Sequence, residues 1–160
     1  MKIKMILAAG VLLFCGCASE PGFKGNGDLC GLVIDENNRP VRDFVVYNSC
    51  GARPSLTNET GIFVFYDLPS GDYYLSGEKK NFLKIEETFY RFNDRSKIIV
   101  LQTRSFNSVI LNAEELLQLN QFDEAAELLK NVCCEANSPE EEFFEKYVAK
   151  IQEVKNEKVN

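Results

Sequence analysis

Apolar residues fall at every second position in short runs between Leu29 and Thr103, and at every third or fourth position from Ser108 onward. That change of period divides the chain, because a two-residue repeat marks a strand with one buried face and a 3.6-residue repeat marks an amphipathic helix. The first region reads as seven strands: LCGLVID (29–35), VRDFVVYNS (41–49), PSLTN (54–58), GIFVFYDL (61–68), YYLSGEK (73–79), LKIEETFYRF (83–92) and KIIVLQT (97–103). Turn signals such as ENNRP, PSGD and NDRS separate them. Short, evenly spaced strands with no helical period between them predict a seven-stranded antiparallel β-sandwich over residues 29–103. Residues 105–156 predict about three helices, so the fold class is mainly β with an α appendage.

The helical stripes are explicit. Val109, Ile110, Ala113, Leu116 and Leu117 share one face, as do Phe122, Ala125, Leu128, Leu129 and Val132. Phe143, Phe144, Tyr147, Val148, Ile151 and Val154 make a third stripe. Its helix starts at a capping box, with Ser138 as N-cap, Pro139 at the first position and Glu141 three residues after the cap. In the sandwich, Phe63, Phe65, Tyr73 and Leu75 lie two apart and form the core side of their strands. The alternate set, Ile62, Val64, Tyr66 and Tyr74, is also apolar, whereas a half-exposed sheet alternates with polar residues. This second face calls for a cover. The helices are expected to supply it and to make one cooperative domain; left uncovered, the face becomes a partner surface.

The N-terminus adds an address. Lys2 and Lys4 precede an apolar run from Met5 to Phe14 that is too short to span a bilayer, so residues 1–16 read as a signal peptide. Gly16 and Cys17, placed just past that run, resemble the lipobox of bacterial lipoproteins. The resemblance implies acylation of Cys17 as the new N-terminus and a bilayer anchor. Ala18 follows, with no Asp to signal inner-membrane retention, which points an exported lipoprotein to the outer membrane. Residues 17–28, rich in Gly, Pro and small polar groups, read as a flexible tether. Without Lys2 and Lys4 the chain keeps 16 basic and 24 acidic residues, net −8. Residues 105–160 carry net −7 of this, with 5 basic and 12 acidic groups. Such a balance leaves no footprint for nucleic acid and predicts repulsion from anionic lipid.

The series Gly31-x-Val33-x-Asp35, Pro40-Val41, Val46, Thr57, Gly61-x-Phe63-x-Phe65, Leu68-Pro69-x-Gly71-x-Tyr73-x-Leu75 resembles the carboxypeptidase regulatory-like domain. That resemblance implies a transthyretin-like (prealbumin-like) sandwich and a binding or scaffolding role. Gly61 and Gly71 stand where a positive φ would favour glycine. Ala113, Leu116, Phe122, Ala125 and Leu129 resemble the packing positions of a tetratricopeptide repeat, although three helices that simply pack together would show the same spacing.

Catalytic chemistry finds little support. The chain has no histidine, which removes the usual general base and the common zinc ligands. Glu86 and Glu87 are adjacent on a strand and point to opposite faces, so they do not form a facing carboxylate pair. No catalytic residue, metal site or cofactor is expected. Cys30 and Cys50 are the candidate disulfide pair of an exported protein, with two free thiols as the alternative, while Cys133 and Cys134 read as ordinary buried thiols. The expected role is a non-enzymatic envelope protein that presents its surface to a protein partner. The alternative is a carbohydrate-binding sandwich that uses Tyr66, Tyr74 and Tyr90.

Overall fold

The computed structural model describes residues 22–159. The expected signal peptide, Cys17 and the first part of the expected tether lie outside the described residues. Seven strands and three helices follow in order: β1 Asn26–Ile34, β2 Val45–Asn48, β3 Ser55–Leu56, β4 Ile62–Pro69, β5 Gly71–Glu78, β6 Ile85–Phe92, β7 Ile99–Gln102, α1 Phe106–Gln118, α2 Phe122–Lys130 and α3 Pro139–Val159. The strands form a three-stranded sheet, β4-β1-β7, and a four-stranded sheet, β3-β2-β5-β6.

The core between the sheets is built from the alternating set. Leu29 and Val33 of β1, Phe63 and Phe65 of β4, Tyr73 and Leu75 of β5, and Ile99 and Leu101 of β7 are all buried in one cluster. The chain changes sheets between β4 and β5 across Ser70 alone, and the Tyr73 hydroxyl donates to the Pro69 carbonyl at 2.7 Å across that corner. Thr57 closes another corner: its hydroxyl donates to the Val41 carbonyl at 2.7 Å and accepts from the Phe44 amide at 2.8 Å. The strand expected to begin at residue 41 therefore begins at Val45, because Asp43 adopts a φ of 52° and Val41 and Phe44 turn inward as plugs.

Three expectations are corrected. The sandwich is not wholly antiparallel, since β7 runs parallel to β1 with Gly31 opposite Ile99 and Val33 opposite Leu101. The cause is connectivity: β6 descends in one sheet, the 93–98 turn crosses over, and β7 ascends in the other beside β1. The expected tether does not extend to residue 28, because β1 begins at Asn26 and the Phe23 amide already donates to the Asn93 carbonyl at 3.1 Å. Gly71 does not have a positive φ; the left-handed residue near that corner is Asp67, at 55°. Gly61 does, at 74°, and a Cβ there would meet the Val33 carbonyl at 2.6 Å.

The helices form a layer with its own core of Val109, Ala113, Ala125, Ala126, Leu129, Val132, Phe144 and Ile151. Small side chains at 113, 125 and 126 let α1 and α2 approach closely. Ser138 accepts from the Glu141 amide at 3.2 Å, as a capping residue should, and the Glu141 carboxylate reaches back to the Asn137 amide at 2.6 Å. The layer does not cover the second apolar face of the sandwich. Only Thr103, Arg104 and Ser105 separate β7 from α1, so the helices are held at the end of the sheets and spend their stripes on one another.

The β5–β6 loop makes the joint. Its Asn81 amide donates to the Cys133 carbonyl at 2.8 Å, its Phe82 carbonyl accepts from the Cys133 amide at 2.9 Å, and its Leu83 amide donates to the Arg104 carbonyl at 2.9 Å. Phe82 packs against the sandwich core and its neighbour Leu83 against the helical core. A side-chain clasp joins the same region, where Glu36 accepts from the Ser105 hydroxyl at 2.6 Å and from its amide at 2.9 Å. Burial alone would raise the Glu36 carboxyl, but the two Ser105 hydrogen bonds and the nearby Arg104 charge outweigh it and hold the pKa below its ordinary value. A depressed carboxyl stabilises the folded form above its unfolded pKa and loses that contribution as pH falls through the folded one. Amide exchange at residues 105–107, corrected for its intrinsic pH dependence, should therefore accelerate below the ordinary carboxylate range, and Glu36→Gln should loosen the same amides at neutral pH. Exchange that is unchanged in both measurements would show that the clasp holds nothing.

Candidate functional site

The sheet register builds an unusual surface from residues upward. On the outer side of β4-β1-β7, Leu32 stands opposite Ile62 on one side and Val100 on the other, and Cys30 stands opposite Val64. Ile98 precedes β7 in line with Cys30, and Tyr66 continues the β4 column. The result is a charge-free apolar face across all three strands. Relative exposure is 43% for Ile62, 74% for Tyr66, 65% for Ile98 and 56% for Val100. These side chains present on the order of 500 Å², which is within the range where the largest patch of a monomer is often functional. Asp28 and Asp67 edge this face at one end, with the Asp67 amide donating to the Asp28 carboxylate at 3.1 Å.

The three tyrosines singled out from the sequence do not converge. Tyr66 belongs to the face just described, while Tyr74 lies on the outside of the other sheet. Tyr90 is half-buried against the sandwich core; its hydroxyl is buried without a hydrogen-bond partner, and burial pushes its pKa up. It is therefore not part of an exposed aromatic site. The residue that joins Tyr74 is Phe89, directly opposite on β6, with the rings 5.7 Å apart and edge-on. The Arg91 guanidinium sits 6.0 Å from the Phe89 ring and pairs with Asp72 at 2.8 Å.

Cys30 and Cys50 are free thiols in the structure. Cys30 lies on β1 of the three-stranded sheet, and Cys50 lies beyond β2 of the other, where its thiol contacts the Asn48 side-chain oxygen at 2.7 Å. Cys133 and Cys134 are half-buried and burial raises both thiol pKa values, which disfavours the reactive thiolate. Among the described residues, no group of three or more His, Cys, Asp or Glu side chains is arranged to hold a metal ion.

The sequence reading missed Leu32, Ile98, Val100 and Phe89. The signal was present for the first three, since the odd phase of LCGLVID and KIIVLQT is as apolar as the even phase. Three adjacent strands with both phases apolar define a sheet with two apolar faces.

No family model matches the chain, and no curated protein matches it. Among solved structures it is similar to the Bacillus anthracis TIE protein, at 16% identity and a TM-score of 0.41, over 51% of this chain and 17% of that one. It is also similar to a chain in a C-terminal interface mutant of the type II cohesin-X-dockerin complex from Acetivibrio cellulolyticus. There the identity is 16% and the TM-score 0.35, over 48% of this chain and 51% of that one. The chain thus spans about half or less of the length of the structures it matches. At these scores the likenesses carry nothing about ligand or partner.

Proposed function

We propose that this chain is a lipid-anchored, non-catalytic protein of the cell envelope that docks another protein on the outer face of its three-stranded sheet. The observation that carries the reading is the exposed apolar face of Ile62, Val64, Tyr66, Leu32, Ile98 and Val100, left open by the helices. Buried against a partner, it would remove on the order of 1,000 Å² from water counting both sides, the threshold of a specific interface. The chemistry of the face defines the partner: an apolar, uncharged centre, with basic groups to meet Asp28 and Asp67 at the rim. The anchor is the acylated Cys17, and the location is the outer membrane. Mass spectrometry of the mature N-terminus checks this, and an unmodified Cys17 as the main species would refute it.

A carboxypeptidase regulatory-like, transthyretin-like ancestry is part of the same reading. Its support is that the resembling residues hold the fold: Gly31 underlies the Phe63 ring, Gly61 makes its turn, and Val46, Thr57, Leu68, Tyr73 and Leu75 are buried.

The docking test is a photo-crosslinker placed at Tyr66 or Val100 of the acylated protein in its own cells. The expected result is a discrete adduct heavier than the monomer, lost on Ile62→Asp and absent when the probe stands at Glu87. An adduct of twice the chain's mass would instead make the face a self-association surface. No adduct from either position would end the docking reading. One observation favours a second reading, carbohydrate binding: the exposed Tyr74 and Phe89 rings beside the Asp72–Arg91 pair. Glycan-array binding lost on Tyr74→Ala would support it, and a blank array would retire it.

A further inference from the structure

We infer that the end of the sandwich formed by Phe23 and the Asn93–Lys97 turn rests on the bilayer and takes anionic phospholipid headgroups on Lys24, Arg95 and Lys97. This deepens the function proposed above and rests on its acylated Cys17. The first argument is reach. From Cys17 to Gly22 the chain has five residues, which fully extended span at most about 18 Å. The next residue is already fixed: the Phe23 amide donates to the Asn93 carbonyl, and its ring meets that of Phe92 edge-on at 4.9 Å. The nine-residue β1 then rises about 30 Å away from this end. An anchor at Cys17 therefore brings the 93–97 turn to the membrane and leaves the helical layer at the far end.

The second argument is charge. Net −8 predicts repulsion from anionic lipid, but the structure segregates that charge, with net −7 on the chain from residue 105, beyond the opposite end of the strands. On segments 22–25 and 93–97, Lys24, Arg95 and Lys97 face a single carboxylate, Asp94. Asp94 is engaged in its own turn, accepting from the Ser96 amide at 2.8 Å and the Ser96 hydroxyl at 2.7 Å. Of the other carboxylates at this end, Asp72 is paired with Arg91, and Asp28 and Asp67 lie together at the edge of the apolar sheet face. The cations are also positioned. The Arg95 guanidinium lies 4.5 Å from the Phe23 ring centroid and donates to the Asn26 carbonyl, while the Lys97 ammonium lies 5.8 Å from the Tyr90 ring. Between Phe23 and the turn is an open cleft of about 720 Å³, room enough for a phosphate headgroup.

Trypsin tests this with the native residues. The full acylated chain, its lipid verified by mass, is inserted from outside into vesicles of phosphatidylcholine alone or with phosphatidylglycerol. Each basic residue at an anionic surface adds a separate increment of binding, so cleavage after Lys24, Arg95 and Lys97 should slow at least about tenfold on the anionic vesicles and recover at high salt. Cleavage after Lys146, on α3, should be equal on both. Lys24→Glu/Lys97→Glu replaces two exposed side chains and should abolish the protection of Arg95 in acylated protein. Equal cleavage after Arg95 on the two kinds of vesicle, with the acyl chains present, would overturn the inference and leave the anchor intact. A mature chain without acyl groups would overturn both, and the mass alone separates the two failures.

Discussion

Phe63→Ala is expected to lower the stability of the sandwich by about 3–5 kcal/mol, the cost of removing a fully buried aromatic ring from a core that cannot collapse around the gap. Phe63 is only 1% exposed, meets Phe65 edge-on at 5.8 Å, and brings the tip of its ring over Gly31 of β1. A Cβ added at Gly31 would stand 2.1 Å from the ring, so no other residue at 31 leaves the ring in place. Against a domain stability of about 5–15 kcal/mol, this loss should shift the urea midpoint strongly. The pair also makes a coupling prediction. Gly31→Ala should be costly in the native background and much milder once Phe63 is alanine, because the methyl group then enters the vacated space. Additive costs would mean that the two residues do not share that space. Phe89→Ala, on the exposed side of β6, should cost no more than about 1 kcal/mol, the worth of its cross-strand pair with Tyr74.

Ala125→Asp should unfold the helical layer and leave the sandwich folded. Ala125 is fully buried where α1 and α2 approach, so an aspartate there introduces both excess volume and an unpartnered carboxylate, at a cost of several kcal/mol. A layer of three helices with a small core has little margin to absorb it. The sandwich should survive because the two buried clusters share no residue and meet along a narrow seam, where the Asn81–Lys84 loop bonds the 131–133 and 104–106 backbone beside the Glu36–Ser105 clasp and the Lys80–Glu135 ion pair. Hydrogen exchange should then rise throughout α1, α2 and α3 while β1 and β5 keep their protection. Loss of protection in β1 and β5 as well would make the chain one cooperative unit.

The local architecture was legible because it is written in near-neighbour spacing. Alternation in GIFVFYDL and YYLSGEK placed Phe63, Phe65, Tyr73 and Leu75 inside, and all four are buried. The Ser138 capping residue and the start of α3 at Pro139 were readable from four residues, since an N-cap satisfies amides within its own turn. The number of strands and helices followed from the two periods together with the turn signals between the runs. What local spacing does not contain is which of two apolar faces receives a cover, because that depends on where a distant segment is tied down. The joint at Asn81–Leu83 holds the helices at the end of the sheets, so the face of Ile62 and Tyr66 stays open. Only the tertiary structure turned Tyr90 inward, set β7 parallel to β1, and parted the acidic helices from the cationic 93–97 turn. Each of these is a relation between segments far apart in the chain. Short-range periodicity determines how a strand divides its side chains between two faces, and long-range connection determines what each face meets.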